Sequence, residues 1–433
     1  MRVVNRPSAP SPPPAEPSTA GHGMAGHGMG GGALGRAGGL AAVAYAFTLA
    51  MASTTLPTPL YPGYRAEFGF SQLTITVIFA TYAVGVIIAL LAFGRLSDRV
   101  GRRPVLLAGL GAAVASALMF LFAGGLPALL AGRLLSGLSA GVFTGTATAT
   151  LVDLAPPRSA GRATLVPTIA NMGGLGLGPL LAGVIARYGP DPLQLTYVIN
   201  LALLVPAVLG VLLAPETVSR QARASVAQGA GGARLLSRPR VPSAARAVFV
   251  RAALAGFAGF AVLGLFTAVG PAFLAQTLDE HNPLVTGLVV AAVFAGSALG
   301  QVLARRTGHA VGLPAGCAAL VVGVALVGGA IAASSLPLLV AGAVVAGIGQ
   351  GLSFASGLGG LLAAAPPPAR AETSSAFFVV AYVAISLPVV GVGVLAELTT
   401  LRLAGFVFVF VIGLLALTAL ALLRRGRGAA GTS

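Results

Sequence analysis

A charged link between two apolar runs is the strongest chemical feature of this sequence. The link, Gly94–Pro104, holds four arginines and a single acid, Asp98, between the apolar runs Leu73–Phe93 and Pro104–Ala123. A helix needs about 20 apolar residues to cross a bilayer, so each run is long enough to span one. Two glycines in the link permit tight turns that residues with a Cβ adopt poorly. Asp98 is therefore expected among cations at a membrane surface, where two helices meet.

Arg133 is the only charge well inside an apolar run. It lies about six residues from the end of the fourth run, or roughly 9 Å deep at the rise of an α-helix. A charge inside the bilayer is costly, so it usually faces the interior of a helix bundle and has a function. The alternative is an arginine whose side chain extends to the nearer membrane surface.

Polar and aromatic residues near the middle of the apolar runs are candidates for contact with a substrate. Two pairs on the later runs have the i,i+4 spacing that places side chains on one helix face. Each candidate has packing as its alternative role. No acid lies at this depth, so a preference for cationic substrates is not supported. The candidates are Thr48, Asn171, Gln350, Phe354, Phe378 and Tyr382.

The composition fits only an integral membrane protein. Of the 433 residues, 56% are hydrophobic and 8% are charged, which is too little charge for a soluble domain. The apolar runs are continuous rather than alternating, which predicts helices and not a barrel. The net charge of +16 does not indicate nucleic-acid binding, because the arginines lie in short links between apolar runs. The lone Cys317 excludes an intrachain disulfide.

Twelve apolar spans are predicted, in two bundles of six helices. The expected division is a disordered tail 1–36, a first bundle 37–214, a linker 215–246, a second bundle 247–424 and a tail 425–433. A His/Met repeat in the first tail could hold a soft metal, but a flexible tail without a metal is the preferred interpretation. The spans are predicted at 38–59, 72–93, 104–124, 127–153, 163–186, 192–213, 247–275, 284–304, 310–333, 336–363, 373–396 and 402–423.

The distribution of arginines predicts the orientation. With both termini in the cytoplasm, 22 of the 26 cationic residues fall in cytoplasmic segments, three fall on the other side and Arg133 remains in the membrane. The opposite topology would invert this bias, against the positive-inside rule. We therefore expect a multi-pass protein of the cell membrane with both termini in the cytoplasm.

The two halves show an internal repeat. In the fourth span Gly137 and Gly141 precede an Ala-Pro-Pro step, and in the tenth span Gly347 and Gly351 precede another. The offset is 210 residues at each of these positions, without a gap. Transporters build a central site between repeats of this kind.

The link pattern Gly-x-Leu-x-Asp-Arg-x-Gly-Arg-Arg resembles the loop 2–3 signature of the major facilitator superfamily. The resemblance implies a twelve-helix fold with two bundles that rock about a central cavity. It also implies a charge network that latches the outward-open state, in which Asp98 caps a helix of the other half. The implied latch residues are Gly94, Asp98, Arg99, Gly101, Arg102, Arg103 and Asp153.

Two further motifs resemble those of proton-coupled exporters in the same superfamily. Arg133 with Gly137 resembles the span-four motif that the family associates with proton coupling. A Gly/Pro stripe in span five resembles the antiporter motif, although Ala182 and Leu165 replace two of its glycines. Close helix packing is the alternative role of such a stripe. Its members are Gly174, Gly178, Pro179 and Gly183.

These features predict a secondary transporter and not an enzyme. We expect it to export a drug or metabolite by proton antiport, as a monomer in the lipid bilayer, without a cofactor or a nucleic-acid partner. A facilitator or importer of a neutral solute such as a sugar is the first alternative. A non-transporting membrane receptor is the second.

Overall fold

The computed structural model describes residues 33–93, 96–156, 165–218 and 240–430, and they form a bundle of long helices. Within these ranges, 11 helices are long and apolar enough to cross a membrane. One of them, Pro283–Ala333, has 51 residues and turns at Gly308, where φ is 69° and ψ is 169°. Because it is two helices joined at that turn, the described ranges contain twelve spans. The predicted all-α, two-bundle fold is confirmed.

We number the spanning helices α1 to α12 in chain order. The first half contains α1 (Arg36–Thr55), α2 (Gln72–Phe93), α3 (Arg102–Leu121), α4 (Leu126–Leu154), α5 (Leu165–Tyr188) and α6 (Pro192–Leu213). The second half contains α7 (Ser243–Thr277), α8 (283–307), α9 (309–333), α10 (Leu336–Ala364), α11 (Arg370–Leu398) and α12 (Leu401–Ala430).

The ends of the helices differ from the predicted spans by a few residues, and prolines explain the largest difference. The first span was expected to continue to residue 59, but α1 ends at Thr55 and a short helix, Tyr61–Phe68, follows a 3₁₀ turn. Prolines at 57, 59 and 62 lack the N–H that a continuous helix needs. Most of the tail 1–36 and residues 219–239 of the linker lie outside the described ranges, so the domain limits stay predictions.

Two spans contain a single π-helical turn that the sequence did not indicate. The turn Phe143–Ala147 interrupts α4, and the turn Leu265–Val269 interrupts α7. A π-turn widens the helix locally and changes the direction of the side chains after it. Both turns contribute residues to the wall of a cavity between the two halves.

The internal repeat appears as the same close crossing in each half. Gly137 of α4 lies against α2, where a Cβ would contact the carbonyl of Tyr82 and lie 3.0 Å from the Cα of Gly85. Gly347 of α10 lies against α8, where a Cβ would contact the carbonyl of Val293 and lie 3.1 Å from the amide of Ser297. Small residues bring helix backbones together in membranes, where the hydrophobic effect does not drive helices together.

The two halves meet at one end of the bundle. We call the end with the α2–α3, α4–α5, α8–α9 and α10–α11 links the arginine-rich face, and the other end the opposite face. At the opposite face, the amide of Leu73 on α2 donates to Oε1 of Glu397 on α11 at 3.2 Å. A Cβ on Gly183 of α5 would lie 2.6 Å from the carbonyl of Pro283 on α8. The halves therefore touch closely at the opposite face.

We predict that Gly347→Leu lowers the melting temperature of the purified protein in lipid nanodiscs. A larger side chain must separate α8 from α10, and overpacking of this kind costs roughly 1–3 kcal/mol. The matched control is Gly111→Leu on α3, where nothing lies within 4 Å of a Cβ. Equal melting temperatures for the two variants would contradict the close crossing.

Candidate functional site

A cavity of about 870 Å³ lies between the two halves. Its wall comes from α1, α2, α4 and α5 of the first half and from α7, α8, α10 and α11 of the second. The wall reaches Asp153, Arg305 and Ser374 near the arginine-rich face, so the cavity opens there. Seven aromatic side chains line it: Phe79, Tyr82, Phe260, Phe294, Phe354, Phe378 and Tyr382.

Five of the six residues proposed from sequence for substrate contact lie on the cavity wall. They are Asn171, Gln350, Phe354, Phe378 and Tyr382. Thr48 is not among the wall residues, and its hydroxyl donates to the carbonyl of Ala44 at 2.9 Å. The Tyr382 ring lies 6.2 Å from the Tyr82 ring, so an aromatic pair joins the halves across the cavity. A substrate role for these residues stays a prediction.

Arg133 lies on the wall but is shielded from solvent. The residue is 1% exposed, and its Nη1 donates to the carbonyl of Thr54 on α1 at 2.6 Å. The guanidinium carbon lies 5.4 Å from the ring centroids of both Phe79 and Tyr82 on α2. The side chain is therefore held inside the bundle and does not extend to the membrane surface.

Gly137 determines where Arg133 lies. One helical turn beyond Arg133, Gly137 brings the α4 backbone against α2 at Tyr82. This contact places the guanidinium over the rings of α2, which supply partial negative charge to a cation. Gly137 is thus a positioning residue for Arg133 in this structure, and the coupling role of both residues stays a prediction.

The span-five stripe contacts two helices and not one. Gly174 and Gly178 pack against α1, where their Cβ atoms would contact the carbonyls of Thr48 and Ala52. Gly183 packs against α8. Pro179 also packs against α8, because a Cβ on Gly287 of α8 would contact the Pro179 carbonyl. The stripe therefore joins α5 both to its own half and to the other half.

Pro179 leaves one carbonyl of α5 without its usual donor, and α1 supplies a replacement. In a regular helix the amide of residue 179 would donate to the carbonyl of Leu175, but proline has no N–H. The hydroxyl of Thr55 donates to that carbonyl at 2.9 Å. A polar backbone group inside a membrane needs such a partner, so Thr55 supports the proline.

At the arginine-rich face, Arg102 connects the two acids of the expected latch. Its Nη1 lies 2.9 Å from Oδ1 of Asp98, and its Nε lies 3.4 Å from Oδ2 of Asp153. Gly101 precedes it with φ at 112°, which only glycine adopts readily. Both acids are about half exposed, and surface ion pairs contribute about 0–1 kcal/mol. The network therefore adds little to stability, and its proposed role is conformational.

The remaining latch residues lie beside this network or beyond it. Arg99 is in the short helix Leu96–Val100 that leads to Gly101. Arg103 is the second residue of α3 and donates its amide to Oε2 of Glu216 at 3.1 Å. Gly94 lies outside the described residues. The two ion pairs of the network join residues of the first half, so the expected cap of a second-half helix by Asp98 stays a prediction.

Glu216 caps the start of α3, a role that the sequence did not indicate. Its Oε1 accepts from the amide of Arg102 at 2.9 Å, and its Oε2 accepts from Arg103. A carboxylate at a helix N-terminus is stabilised by the free amides and the helix dipole. The next residue, Thr217, donates its hydroxyl to Oδ2 of Asp153 at 3.2 Å. The start of the expected linker therefore contacts the Asp98–Arg102–Asp153 network. The sequence signal for this contact is an acid placed directly after the sixth span.

The sequence also did not indicate the residues that hold Arg133. Phe79 and Tyr82 are three residues apart on α2 and face α4, but a single sequence does not show which face of α2 meets α4. Thr54 contributes a backbone carbonyl, which has no sequence signal. No group of three or more His, Cys, Asp or Glu in the described ranges could hold a metal ion.

Twelve helices in two halves around a cavity that opens at one end define the fold of a membrane transporter. The chain belongs to the major facilitator superfamily, because the model of that family matches residues 43–327. The putative multidrug resistance protein MdtD of Klebsiella pneumoniae (strain 342) is 28% identical over 146 residues, which are 34% of this chain and 31% of that protein. The chain therefore matches about a third of that relative's length.

Two solved structures share the fold over nearly the whole chain. A bacterial homolog of the human lysosomal transporter Spinster, in an inward-facing and unoccupied conformation, is 16% identical with a TM-score of 0.65, covering 90% of this chain and 97% of that one. The human organic anion transporter MFSD10 (TETRAN) is 19% identical with a TM-score of 0.64, covering 90% and 100%. At these identities the likeness shows the fold alone.

We predict that Asp98→Asn makes the cavity more accessible from the arginine-rich face. If the latch stabilises the state closed there, its loss shifts the population toward the open state by a factor of about five for each kcal/mol. The measurement is the maleimide labelling rate of Ala355→Cys, a wall position, in a Cys317→Ala background.

The control for this measurement is Asp279→Asn, which removes an exposed acid from the opposite face. Exchanging the charges of Arg102 and Asp153 should restore more of the wild-type labelling rate than either single change, because neighbouring charges couple. An unchanged labelling rate in Asp98→Asn would show that Asp98 has no part in closure.

We predict the reverse shift for Gly183→Val. The valine side chain would separate α5 from α8 and open the opposite face, so labelling of Ala355→Cys should fall. Labelling of Thr286→Cys, a buried position on α8 beside Gly287, should rise. The matched control on the same helix is Gly173→Val, since nothing lies within 4 Å of a Cβ there. If both valines have the same effect, the contact of Gly183 with α8 does not set the conformation.

Proposed function

We propose that this chain exports a small molecule, a drug or a metabolite, in exchange for protons by alternating access. The observation that carries the proposal is the cavity between the halves, which opens at one face while α5–α8 and α2–α11 contacts join the halves at the other. Rocking of the halves about this cavity would expose it to each side in turn. The Gly183 and Pro179 contacts at the α5–α8 boundary support this, because they lie where such a movement must occur.

The arginine-rich face is proposed to lie in the cytoplasm. The positive-inside rule supports this orientation, with both termini cytoplasmic and the protein in the cell membrane. The structure is then inward-open. Exposed apolar side chains, such as Phe410 and Leu414 on α12, would face the lipid bilayer. We propose that the protein works as a monomer, since each chain holds a complete cavity.

Export is favoured over import by the span-five stripe and by the name of the MdtD relatives. Their printed name is putative multidrug resistance protein, and the stripe resembles the motif of exporters. Proton antiport also requires a residue that carries the proton. Asp153 is the proposed proton carrier, because it lies on the cavity wall and contacts Arg102. A proton on Asp153 would remove the charge that holds Arg102 and Thr217, and so release the latch.

Two alternatives remain from the sequence. A facilitator of a neutral solute would need the same cavity but no proton step. A receptor that does not transport would need a cavity but no cycle between two faces. The intact Asp98–Arg102–Asp153 network favours a protein that cycles, because a receptor that does not cycle needs no latch.

We predict proton-coupled uptake into everted membrane vesicles. The first step is a growth screen that finds a toxic compound to which expression of the protein gives resistance. In vesicles with an acidic interior, that compound should accumulate, and its addition should release protons, detected with a pH-sensitive dye. Vesicles without the protein and vesicles with Asp153→Asn are the controls. Neither should accumulate the compound or release protons when it is added. Accumulation that persists with a protonophore and moves no protons would favour the facilitator.

A further inference from the structure

Two buried nitrogens on the cavity wall have no hydrogen-bond partner in the described part of the chain. They are Nε of Arg133 and Nε2 of Gln350. Both residues are 1% exposed, and both line the same cavity. Buried polar groups in proteins are nearly always paired, so two unpaired donors in one cavity indicate an acceptor that is supplied from outside the chain.

The charge of Arg133 is not balanced by its surroundings. Burying a cation is costly, even after relaxation. The Phe79 and Tyr82 rings attract the guanidinium through the cation–π interaction. The Thr54 carbonyl accepts a hydrogen bond from Nη1 of Arg133. These neutral groups leave the charge itself unpaired, and Arg133 forms no ion pair with any described residue. An anion would complete the site.

Gln350 presents a donor because its oxygen is already used. Its Oε1 accepts from the hydroxyl of Ser297 at 2.5 Å, and that hydroxyl oxygen accepts from Nε2 of Gln301 at 3.3 Å. The side chain also packs against α7, where a Cβ on Gly259 would lie 2.9 Å from its Cγ. These contacts fix the side chain and leave its amide nitrogen without a hydrogen-bond partner among the described residues.

The rest of the wall suits an aromatic body with a negative head group. The Phe260 ring lies 5.4 Å from Phe354 and 6.4 Å from Tyr382, and Tyr382 contacts the Tyr82 ring beneath Arg133. An aromatic surface thus continues from the guanidinium into the second half. Among the described residues, the charged members of the wall are Arg133, Arg305 and Asp153, and Asp153 is already paired with Arg102. The field in the cavity is therefore positive.

We propose that the cavity binds an aromatic organic anion, with a carboxylate or a similar oxyanion paired to Arg133. Gln350 donates to an acceptor atom of the same compound, and the aromatic body lies against the Phe260, Phe354 and Tyr382 rings. This inference rests on the proposed transport function, and it names the substrate class of that same cavity. The planar guanidinium favours an oxyanion because it matches two oxygens at once.

The test uses three probes that share one aromatic body. They are naphthalene-carboxylate, naphthylmethanol and naphthylmethyl-trimethylammonium, added to the full chain in lipid nanodiscs. Binding is measured by the rise in melting temperature and by protection of Ala355→Cys from maleimide. We expect the carboxylate to bind at least tenfold more tightly than the neutral and the cationic probe, because a charge-assisted hydrogen bond contributes about 1.5–3 kcal/mol.

Variants of the two donors assign the binding to the site. Arg133→Met should weaken carboxylate binding by about tenfold or more, and Arg133→Lys should retain part of it because the charge remains. Gln350→Leu should weaken it less than Arg133→Met, since it removes a neutral donor. The matched control is Arg187→Met, an exposed arginine of α5 at the opposite face and not on the cavity wall, which should change binding less than threefold. Cys protection reports binding even where a variant lowers the melting temperature.

Several outcomes would overturn the proposal. They are equal binding of the three probes, no binding of any of them, tighter binding of the cation, or carboxylate binding that Arg133→Met does not change. The vesicle experiment tests export and antiport independently of the anion site. Proton release by a cationic substrate would support export and overturn the anion site. Binding of the carboxylate without proton movement in vesicles would support the site and overturn the antiport.

Discussion

The cost of keeping a charged guanidinium inside a bilayer constrains the centre of this protein. Arg133 is held by a carbonyl of α1 and by two rings of α2, so three helices of the first half must meet at one point. Gly137 permits that meeting, because any larger residue would force α4 away from α2 at Tyr82. The arginine is thus tolerated only in a bundle whose backbones approach closely, and the same approach places it on the cavity wall.

The other functional features follow from where backbones touch and where they do not. At the opposite face, glycines of α5 and α8 replace side chains, so the two halves contact each other almost directly. At the arginine-rich face, charged side chains take the place of such contacts. Arg102 lies between two acids, and the carboxylate of Glu216 covers the start of α3. Ion pairs near water are weak, whereas tight backbone packing is strong, so different kinds of contact hold the two ends of the bundle.

The need of each backbone polar group for a hydrogen-bond partner explains details that side-chain chemistry alone would not. Pro179 is tolerated in α5 because Thr55 donates to the carbonyl that the proline leaves free. Pro179 is also at the boundary with α8, so one residue both bends its helix and meets the other half. The π-turn in α4 lies between Arg133 and Asp153 on the same helix and contributes Thr144 and Gly145 to the wall. Both π-turns of the described spans lie beside the cavity and not against lipid, which cannot satisfy polar backbone groups.

The sequence by itself determined the class of protein, the number of spans and the depth of Arg133, because long apolar runs and sparse charge permit few arrangements. It also indicated that the halves repeat, since the Gly137 and Gly347 crossings share a fixed spacing. Only the tertiary structure decided which helix faces meet. Phe79 and Tyr82 lie beneath Arg133, Thr55 supports Pro179, and Glu216 caps α3, while Thr48 is turned away from the cavity wall. These contacts join residues far apart in the chain, and an apolar helix in a membrane has no polar face to show which side its neighbours cover. The depth of a residue in the membrane can therefore be predicted from one span, whereas its partners depend on how twelve spans pack together.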